Sequence, residues 1–190
     1  DRRILGARQD GVPVIGICAG FQMLGARLLD PHRVESPRPQ APGLGLLPTS
    51  TVFTQEKATH QTKVRVAENR GLLSGCAGTL ATAYEIHMGV TSGRASSIPF
   101  IIESRSSERV DFPEGALDEE GLTMGSYLHG LFHNRTLRRS ILKCAGRRRG
   151  LILPEEGAHL DPNAEYDKLA DWARGHLDME YIHRTAGLQP

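Results

Sequence analysis

The sequence predicts an α/β domain with a mixed or mostly parallel sheet, and two observations carry this prediction. A short apolar run with β-branched residues, 12–17, is typical of a strand buried inside a sheet. A tight glycine-flanked turn and a helical pattern follow it directly, and this order is the first half of a strand–helix–strand unit. Further strand patterns and two later helical patterns complete the prediction.

The elements of the first two thirds follow from apolar spacing and turn residues. After the strand at 12–17, leucines and a methionine at mixed helical spacing predict a helix over 21–29, ended by Asp30-Pro31. Four prolines between 31 and 42 predict an extended surface loop. Strands are then predicted from apolar and β-branched runs at 44–47, 51–54, 62–67, 79–86, 98–103 and 122–128.

Two helices are predicted in the last third. Asn134 is the expected N-cap of a helix over 135–145, and Gly146 is its expected end. A second helix is expected over 163–177, where apolar residues recur on one stripe.

Composition excludes several classes of protein. The 190 residues are 39% apolar, which supports a packed core, and 23 basic residues face 22 acidic ones. This near balance, with few aromatic residues, argues against a nucleic-acid partner. No run approaches the ~20 apolar residues of a membrane helix, and no signal-peptide pattern is present, so no membrane partner and a cytoplasmic location are expected.

Cysteine usage supports the same location. Three cysteines are too few, and odd in number, for a disulfide framework, so a reducing compartment fits better. No zinc-binding spacing occurs, and we expect no metal site in this chain. Cys76 lies in a glycine-rich segment and is expected in a loop, while Cys144 is expected in the core face of a helix.

The strongest local pattern places Cys18 on a nucleophile elbow, in Gly16-Ile17-Cys18-Ala19-Gly20 between a strand and a helix. Such a turn projects the side chain above the sheet edge, and flanking glycines allow the close packing that it demands. The helix N-terminus favours a thiolate, and the N–H of Ala19 is placed to donate to an oxyanion. The alternative is a buried core cysteine.

A thiol nucleophile needs a base, and two histidines are the leading candidates. His129 ends an apolar strand, at the carboxyl edge where α/β sheets place catalytic groups, and His87 also lies at a strand end. A structural or surface role remains the alternative for each. His176 and His183, on or near the last helix, are expected to face solvent.

Four spaced motifs then resemble the class I, triad-type glutamine amidotransferases, and most closely their cobyric acid synthase branch. GICAGFQMLG at 16–25 is similar to that branch's GICGGYQMLG. The other three are GLGLLP at 43–48 (followed by Thr51, Phe53 and Lys57), YEIHMGVT at 84–91 and GSYLHGLF at 125–132. Residues 169–172 and 176–178 also resemble the family's C-terminal helix.

The resemblance implies a fold and a chemistry. The fold would be a three-layer, flavodoxin-like α/β sheet, N-terminally incomplete because the family's first strand precedes the elbow. Cys18 would attack the side-chain amide of glutamine, and His129 would act as base, then acid. The Ala19 N–H would bind the oxyanion and Gln22 would help to hold the substrate.

The segment around Glu85 and His87 would line the glutamine pocket or the contact with the ammonia-using domain. Residues 1–190 would be the glutaminase domain of a longer synthase, without its upstream ATP-dependent domain. The partners would be glutamine and, through that domain, a corrinoid acceptor. No cofactor is expected in this chain, and ATP and Mg²⁺ are expected in the synthetase domain.

This chain departs from the pattern of the wider family at two places. Leu131 occupies the position where many triad enzymes have a glutamate. The cobyric acid branch also lacks that glutamate. The identity of the residue that orients His129 therefore stays open, and Glu85 is one candidate. Ala19 replaces a glycine, for which we expect a modest effect.

Two alternatives to the corrinoid assignment remain. One is the glutaminase of another amide ligase, such as a cell-wall isoglutaminyl synthase, and the other is a non-catalytic interaction fragment. Because sheet strands are expected upstream, residues 1–190 alone are expected to be a poor glutaminase and prone to associate.

Overall fold

The computed structural model describes residues 2–94, 96–154 and 162–188, which form two compact units divided after Leu153. The first unit contains, in chain order, α1 (Arg2–Gln9), β1 (Val14–Ile17), α2 (Ala19–Leu24), β2 (Arg27–Leu29), β3 (Gln40–Pro42), β4 (Thr49–Val66), β5 (Leu80–Gly93), β6 (Phe100–Arg105), β7 (Glu108–Glu114), β8 (Ala116–Leu117), β9 (Thr123–Ser126), β10 (Leu128–His129) and α3 (Arg135–Arg148). Single 3₁₀ turns lie at Gly71–Leu73 and Leu131–His133. The second unit contains α4 (Pro162–His176) and α5 (Met179–Thr185).

The strands form two sheets. A three-stranded sheet has the order β1-β9-β8, with β1 and β9 parallel. A seven-stranded sheet has the order β10-β5-β4-β2-β3, and β6 joins β4 to β7. Only β1–β9 and β2–β4 are parallel among the described pairs. The α/β class is therefore confirmed with a mixed sheet, and the mostly parallel alternative is wrong.

Two long strands replace several short predicted ones. The predicted strands at 51–54 and 62–67 are parts of the single strand β4, and the strand at 79–86 extends to Gly93 as β5. β4 and β5 pair antiparallel over most of their length, with a register shift between Val52 and Lys57. Ladder hydrogen bonds carry β4 through the polar residues 55–61, where side-chain pattern gave no strand signal.

The helix predicted over 21–29 ends at Leu24, and 27–29 is strand β2 instead. The Gly25 backbone approaches β4 so closely that a Cβ there would lie 2.8 Å from the Thr49 carbonyl oxygen. The N–H of Ala26 donates to that same oxygen at 2.7 Å. Sheet pairing therefore overrides the helical spacing of Leu28 and Leu29.

The segment 44–47 is a helix cap, and the predicted strand there is wrong. Its four N–H groups donate to the last carbonyls of α2 and its turn, on Met23, Leu24 and Gly25, at 2.8–2.9 Å. These carbonyls have no partner inside the helix. The extended loop at 31–42 also ends in a short strand, β3, that the prolines did not indicate.

The last predicted elements are largely confirmed. Asn134 caps α3 by accepting the N–H of Leu137 at 3.1 Å, and the helix runs past Gly146 to Arg148. The strand at 122–128 divides at Tyr127 into β9 and β10, and α4 matches the predicted last helix. Helices α1 and α5 and strands β7 and β8 were not predicted.

The main core packs side chains of β4, β6, β9 and β10 against α3, where Cys144 is buried as expected. Cys76, in a loop as predicted, is also fully buried in this core. A second cluster lies beneath α2 and contains Phe21, Leu24, Leu47, Ala116 and Tyr127. No helix among the described residues combines the length and the apolar character that crossing a bilayer requires.

Candidate active site

Cys18 lies on a strained turn between β1 and α2, as the elbow pattern predicts. Its backbone angles, φ 55° and ψ −117°, are in a region that residues with a side chain rarely adopt. The N–H of Cys18 donates to the carbonyl oxygen of Ser126 on the neighbouring strand β9 at 2.9 Å. This bond and the parallel pairing of β1 with β9 hold the turn at the carboxyl ends of both strands.

Gly16 is required by packing, whereas Gly20 is not. A Cβ on Gly16 would lie 2.6 Å from the Gly20 carbonyl and 2.7 Å from the Leu24 side chain, while a Cβ on Gly20 would face open space. The prediction that both glycines provide close packing is therefore correct for Gly16 and wrong for Gly20. Gly125, opposite Gly16 in register, is equally constrained because its Cβ would overlap the Phe21 ring.

The elbow lies along one edge of β5. The Cys18 thiol donates to the carbonyl oxygen of Ile86 at 3.3 Å. One helical turn further, Gln22 donates its side-chain amide to the carbonyl oxygen of Met88 at 2.9 Å and approaches the Tyr127 hydroxyl at 3.3 Å. Gln22 is buried, and its amide nitrogen is committed to these contacts. A role in holding substrate stays a prediction for its carbonyl oxygen.

His129 lies at the same edge of β5, on the neighbouring strand β10. β10 pairs antiparallel with β5, which places His129 opposite Tyr84, two residues before the carbonyl that Cys18 contacts. The Nε2 atom of His129 is buried, and the described residues give it no hydrogen-bond partner. A buried ring nitrogen without a partner is costly in a folded protein, and functional sites are where such atoms are retained.

Ala19 is the first residue of α2, so its N–H has no acceptor within the helix. The residue is exposed beside Cys18. This placement is the one that the oxyanion role requires, and the role itself stays a prediction.

Glu85 and His87 lie on β5, on either side of Ile86, whose carbonyl oxygen accepts the Cys18 thiol. Glu85 is 1% exposed, and each of its carboxylate oxygens accepts a 2.7 Å hydrogen bond from Arg105. His87 Nε2 lies 3.4 Å from Oε1, one of these two oxygens. Burial raises the pKa of Glu85, but the hydrogen bonds from His87 and Arg105 outweigh it and hold that pKa below its ordinary value. The Glu85 carboxylate is thus engaged by Arg105, so it does not orient His129 here.

His87 is fixed by its surroundings. Its Nδ1 donates to the carbonyl oxygen of Gly89 at 2.9 Å, and its ring stacks on Tyr127 with centroids 3.8 Å apart. Glu85, His87, Arg105 and Tyr127 line a cavity of about 340 Å³. Cys18 and His129 are not among the described residues that line this cavity. His129 pairs with Tyr84, the neighbour of Glu85, so the alternation of side chains puts it on the opposite face of the sheet from Glu85.

Glu114, at the end of β7, is a buried carboxylate beside the candidate site that the sequence did not reveal. It is 4% exposed, accepts the N–H of Tyr127 at 2.6 Å and accepts the Ser126 hydroxyl at 2.8 Å. Burial raises its pKa to about 7. It stands between a proline and a glycine, with no motif or periodicity that would distinguish it from a surface glutamate.

The two departures from the family pattern fit their surroundings. Leu131, two residues after His129, is 2% exposed and packs in the main core, a place that suits an apolar side chain. Ala19 is exposed at the start of α2, where its methyl group is not enclosed by the core.

Replacing Arg105 with methionine is expected to lower the free energy of unfolding by about 3 kcal/mol, because Glu85 would be left buried without its charged partner. The lowered pKa of Glu85 means that its stabilising contribution is present above the ordinary carboxyl pKa and is lost as the pH falls through the lowered value. The loss in free energy of unfolding caused by Arg105→Met should therefore be largest near neutral pH and become smaller in acid.

Urea unfolding at several pH values measures this, with Arg109→Met as the control. Arg109 is exposed on β7, and its replacement should change stability by less than about 0.5 kcal/mol. Equal losses in the two variants would contradict the assignment of Arg105 as the partner of Glu85.

Comparison with known proteins agrees with this geometry. Residues 1–137 match the family model of the CobB/CobQ-like glutamine amidotransferase domain. The chain is 42% identical over 181 residues to a cobyric acid synthase of Dehalococcoides mccartyi, covering 95% of this chain and 36% of that protein. It is 38% identical over 189 residues to a cobyric acid synthase of Caldanaerobacter subterraneus, covering 97% of this chain and 37% of that protein.

The chain thus spans a little over a third of these relatives. The solved structure of PurLQS from Thermotoga maritima shares its fold, with a TM-score of 0.52 over 74% of this chain and 65% of that chain, at 17% identity. The fold class that the resemblance implies is confirmed. The sequence match over residues 1–137 shows that this chain belongs to the family of CobB/CobQ-like glutamine amidotransferase domains.

Proposed function

We propose that this chain hydrolyses glutamine, with Cys18 as nucleophile and His129 as its base, and that the ammonia serves an ATP-dependent synthetase domain that amidates corrinoid side-chain carboxylates. The observation that carries the proposal is the strained backbone of Cys18, at φ 55° between a buried strand and a helix. Strain of this kind is maintained where a side chain must be presented at a fixed place.

The chemistry follows from the groups at the β5 edge. Cys18 Sγ attacks the side-chain amide carbon of glutamine, and His129 takes the thiol proton. The N–H of Ala19, at the first position of α2 and without an acceptor inside the helix, donates to the tetrahedral oxyanion in this proposal. His129 then gives its proton to the leaving nitrogen, ammonia departs, and a γ-glutamyl thioester remains.

Water completes the cycle. His129 removes a proton from a water molecule as the water oxygen attacks the thioester carbon. The carbon–sulfur bond breaks, His129 returns the proton to the Cys18 sulfur, and glutamate is released. The unpartnered Nε2 of His129 supports this role, because a nitrogen that must exchange protons with thiol, ammonia and water in turn has no permanent partner.

Glu85 and His87 take a supporting role in this proposal. Their contacts with Arg105, Gly89 and Tyr127 hold β5 in place. The same strand accepts the Cys18 thiol through a backbone carbonyl. We infer that they shape the glutamine pocket from behind and do not take part in the reaction.

The identities of the acceptor and of the synthetase partner are inferred from the matched relatives. The two matched proteins described above are named cobyric acid synthases, and this chain corresponds to a little over a third of each. The corrinoid carboxylate is therefore the acceptor we propose, and ATP with Mg²⁺ would act in the synthetase domain.

The test joins this chain to its synthetase domain and follows ATP-dependent amidation of cobyrinic acid a,c-diamide with glutamine or with free ammonia. Cys18→Ala should abolish the glutamine-dependent reaction and leave the ammonia-dependent reaction near its original rate. If the wild-type protein hydrolyses glutamine but does not amidate the corrinoid, the acceptor is wrong and another amide ligase becomes the better assignment. If it hydrolyses no glutamine, the chain is a non-catalytic module.

A further inference from the structure

The chain passes from one sheet to the other in three residues, 126–128, at the centre of the candidate site. Ser126 ends β9 in the three-stranded sheet, and Leu128 begins β10 in the seven-stranded sheet. One end of this crossing touches the elbow, since the Ser126 carbonyl accepts the Cys18 N–H at 2.9 Å. The other end leads directly into His129. The relative placement of Cys18 and His129 therefore depends on how this short segment is held.

Glu114 holds the segment from beneath. One oxygen of its carboxylate accepts the Tyr127 N–H at 2.6 Å, and the other accepts the Ser126 hydroxyl at 2.8 Å. The same hydroxyl accepts the N–H of Leu128 at 3.0 Å, so the network reaches the residue before His129. The Glu114 side chain thus holds Ser126 and Tyr127 directly and Leu128 through the Ser126 hydroxyl.

Burying the Glu114 carboxylate costs folding free energy. Its direct partners are a hydroxyl and a backbone N–H, both uncharged, and the charged or titratable groups that act on it are Glu85, which repels it, and His87. The described residues give it no direct cationic partner, so burial of this carboxylate costs more stability than burial of a neutral side chain would. Groups of this kind are retained more often at functional sites than in structural cores.

We propose, on the basis of the function proposed above, that Glu114 is the positioning residue of this site, which fixes the crossing at 126–128 so that Cys18 and His129 face each other productively. It acts through Ser126 and Tyr127 and touches neither catalytic side chain in the described network. Classical triads orient the histidine with a carboxylate beyond it, and here the carboxylate fixes the backbone on both sides instead.

The test compares Glu114→Gln with Asp30→Asn in the protein that joins this chain to its synthetase domain. Asp30 is a matched control because it is also buried and accepts three backbone N–H groups, from Val34, Glu35 and Ser36, in the loop after β2. In both variants an amide nitrogen replaces one accepting oxygen, so both should lose stability.

Only Glu114→Gln should affect the site. We expect kcat for glutamine hydrolysis to fall at least tenfold with KM changed less than twofold, and alkylation of Cys18 by iodoacetamide at pH 7.5 to slow at least threefold. Asp30→Asn should leave both values near those of the wild type. Ser126→Ala, which removes only the bridging hydroxyl, should show a smaller loss of kcat and keeps the test decisive if Glu114→Gln does not fold.

Two results would overturn the proposal: kcat and alkylation rates in Glu114→Gln equal to those in Asp30→Asn, or a raised KM with unchanged kcat. If the wild-type protein hydrolyses no glutamine, the proposed function fails instead. The alkylation rates then still decide whether Glu114 places Cys18.

Discussion

Replacing His129 with alanine is expected to lower kcat for glutamine hydrolysis by about 10²- to 10⁴-fold, the range typical of a lost general base. The residue lies opposite Tyr84 on the edge of β5 that also receives the Cys18 thiol, and its Nε2 has no partner among the described residues. His87 is not free to replace it, because its ring is engaged by Gly89 and Tyr127.

Glutamate release measures this effect, and His133→Ala is the control. His133 lies four residues further on, exposed in the 3₁₀ turn Leu131–His133, so its loss should not change kcat. Ammonia-dependent amidation should be unchanged in both variants, because neither residue belongs to the synthetase reaction. A His129→Ala protein with more than about a third of wild-type glutaminase activity would exclude His129 as the base.

Replacing Gly16 with alanine is expected to destabilise the protein by about 3 kcal/mol or more. The added Cβ would lie 2.6 Å from the Gly20 backbone and 2.7 Å from Leu24, so β1 and α2 would have to separate. Gly20→Ala is the matched control, four residues along the same turn, because its Cβ faces open space. Gly20→Ala should be neutral or slightly stabilising, since alanine is the better helix residue.

Urea unfolding of the two variants measures the contrast. Backbone contact cannot be relieved by rotating a side chain, so the cost at Gly16 should persist across temperature and salt. Similar free energies of unfolding for both variants would show that the elbow is not packed as described, and would remove the structural basis for the strained Cys18.

Prediction from sequence was accurate where local pattern and geometry agree. The strand–turn–helix order around Cys18 and the N-cap at Asn134 are both short-range features, and both are confirmed. It failed where long-range pairing decides the structure. Leu28 and Leu29 have helical spacing, yet they form a strand because β3 and β4 pair with them. Polar residues 55–61 extend β4 because β5 lies beside them.

The candidate site shows the same division. Cys18 and His129 were predicted from glycines and strand ends, and the structure places both along the same edge of β5, while their roles stay predictions. Glu85 was predicted at the site, but its engagement by Arg105 depends on the registers of β5 and β6 against β4, the strand between them, and no local pattern encodes these registers. Glu114 was missed altogether, because only the folded chain brings it beneath Ser126 and Tyr127.

The most direct test of the central claim, that Cys18 is the glutamine-attacking nucleophile, is to locate the adduct of a diazoketone analogue of glutamine by peptide mass spectrometry. The claim predicts one adduct, on Cys18, which forms more slowly when glutamine is present and in the His129→Ala variant. Cys76 and Cys144 should stay unmodified because both are buried in the core. The claim would be contradicted by an adduct on another residue. It would also be contradicted if a protein that hydrolyses glutamine gave no adduct on Cys18 after incubation with the analogue.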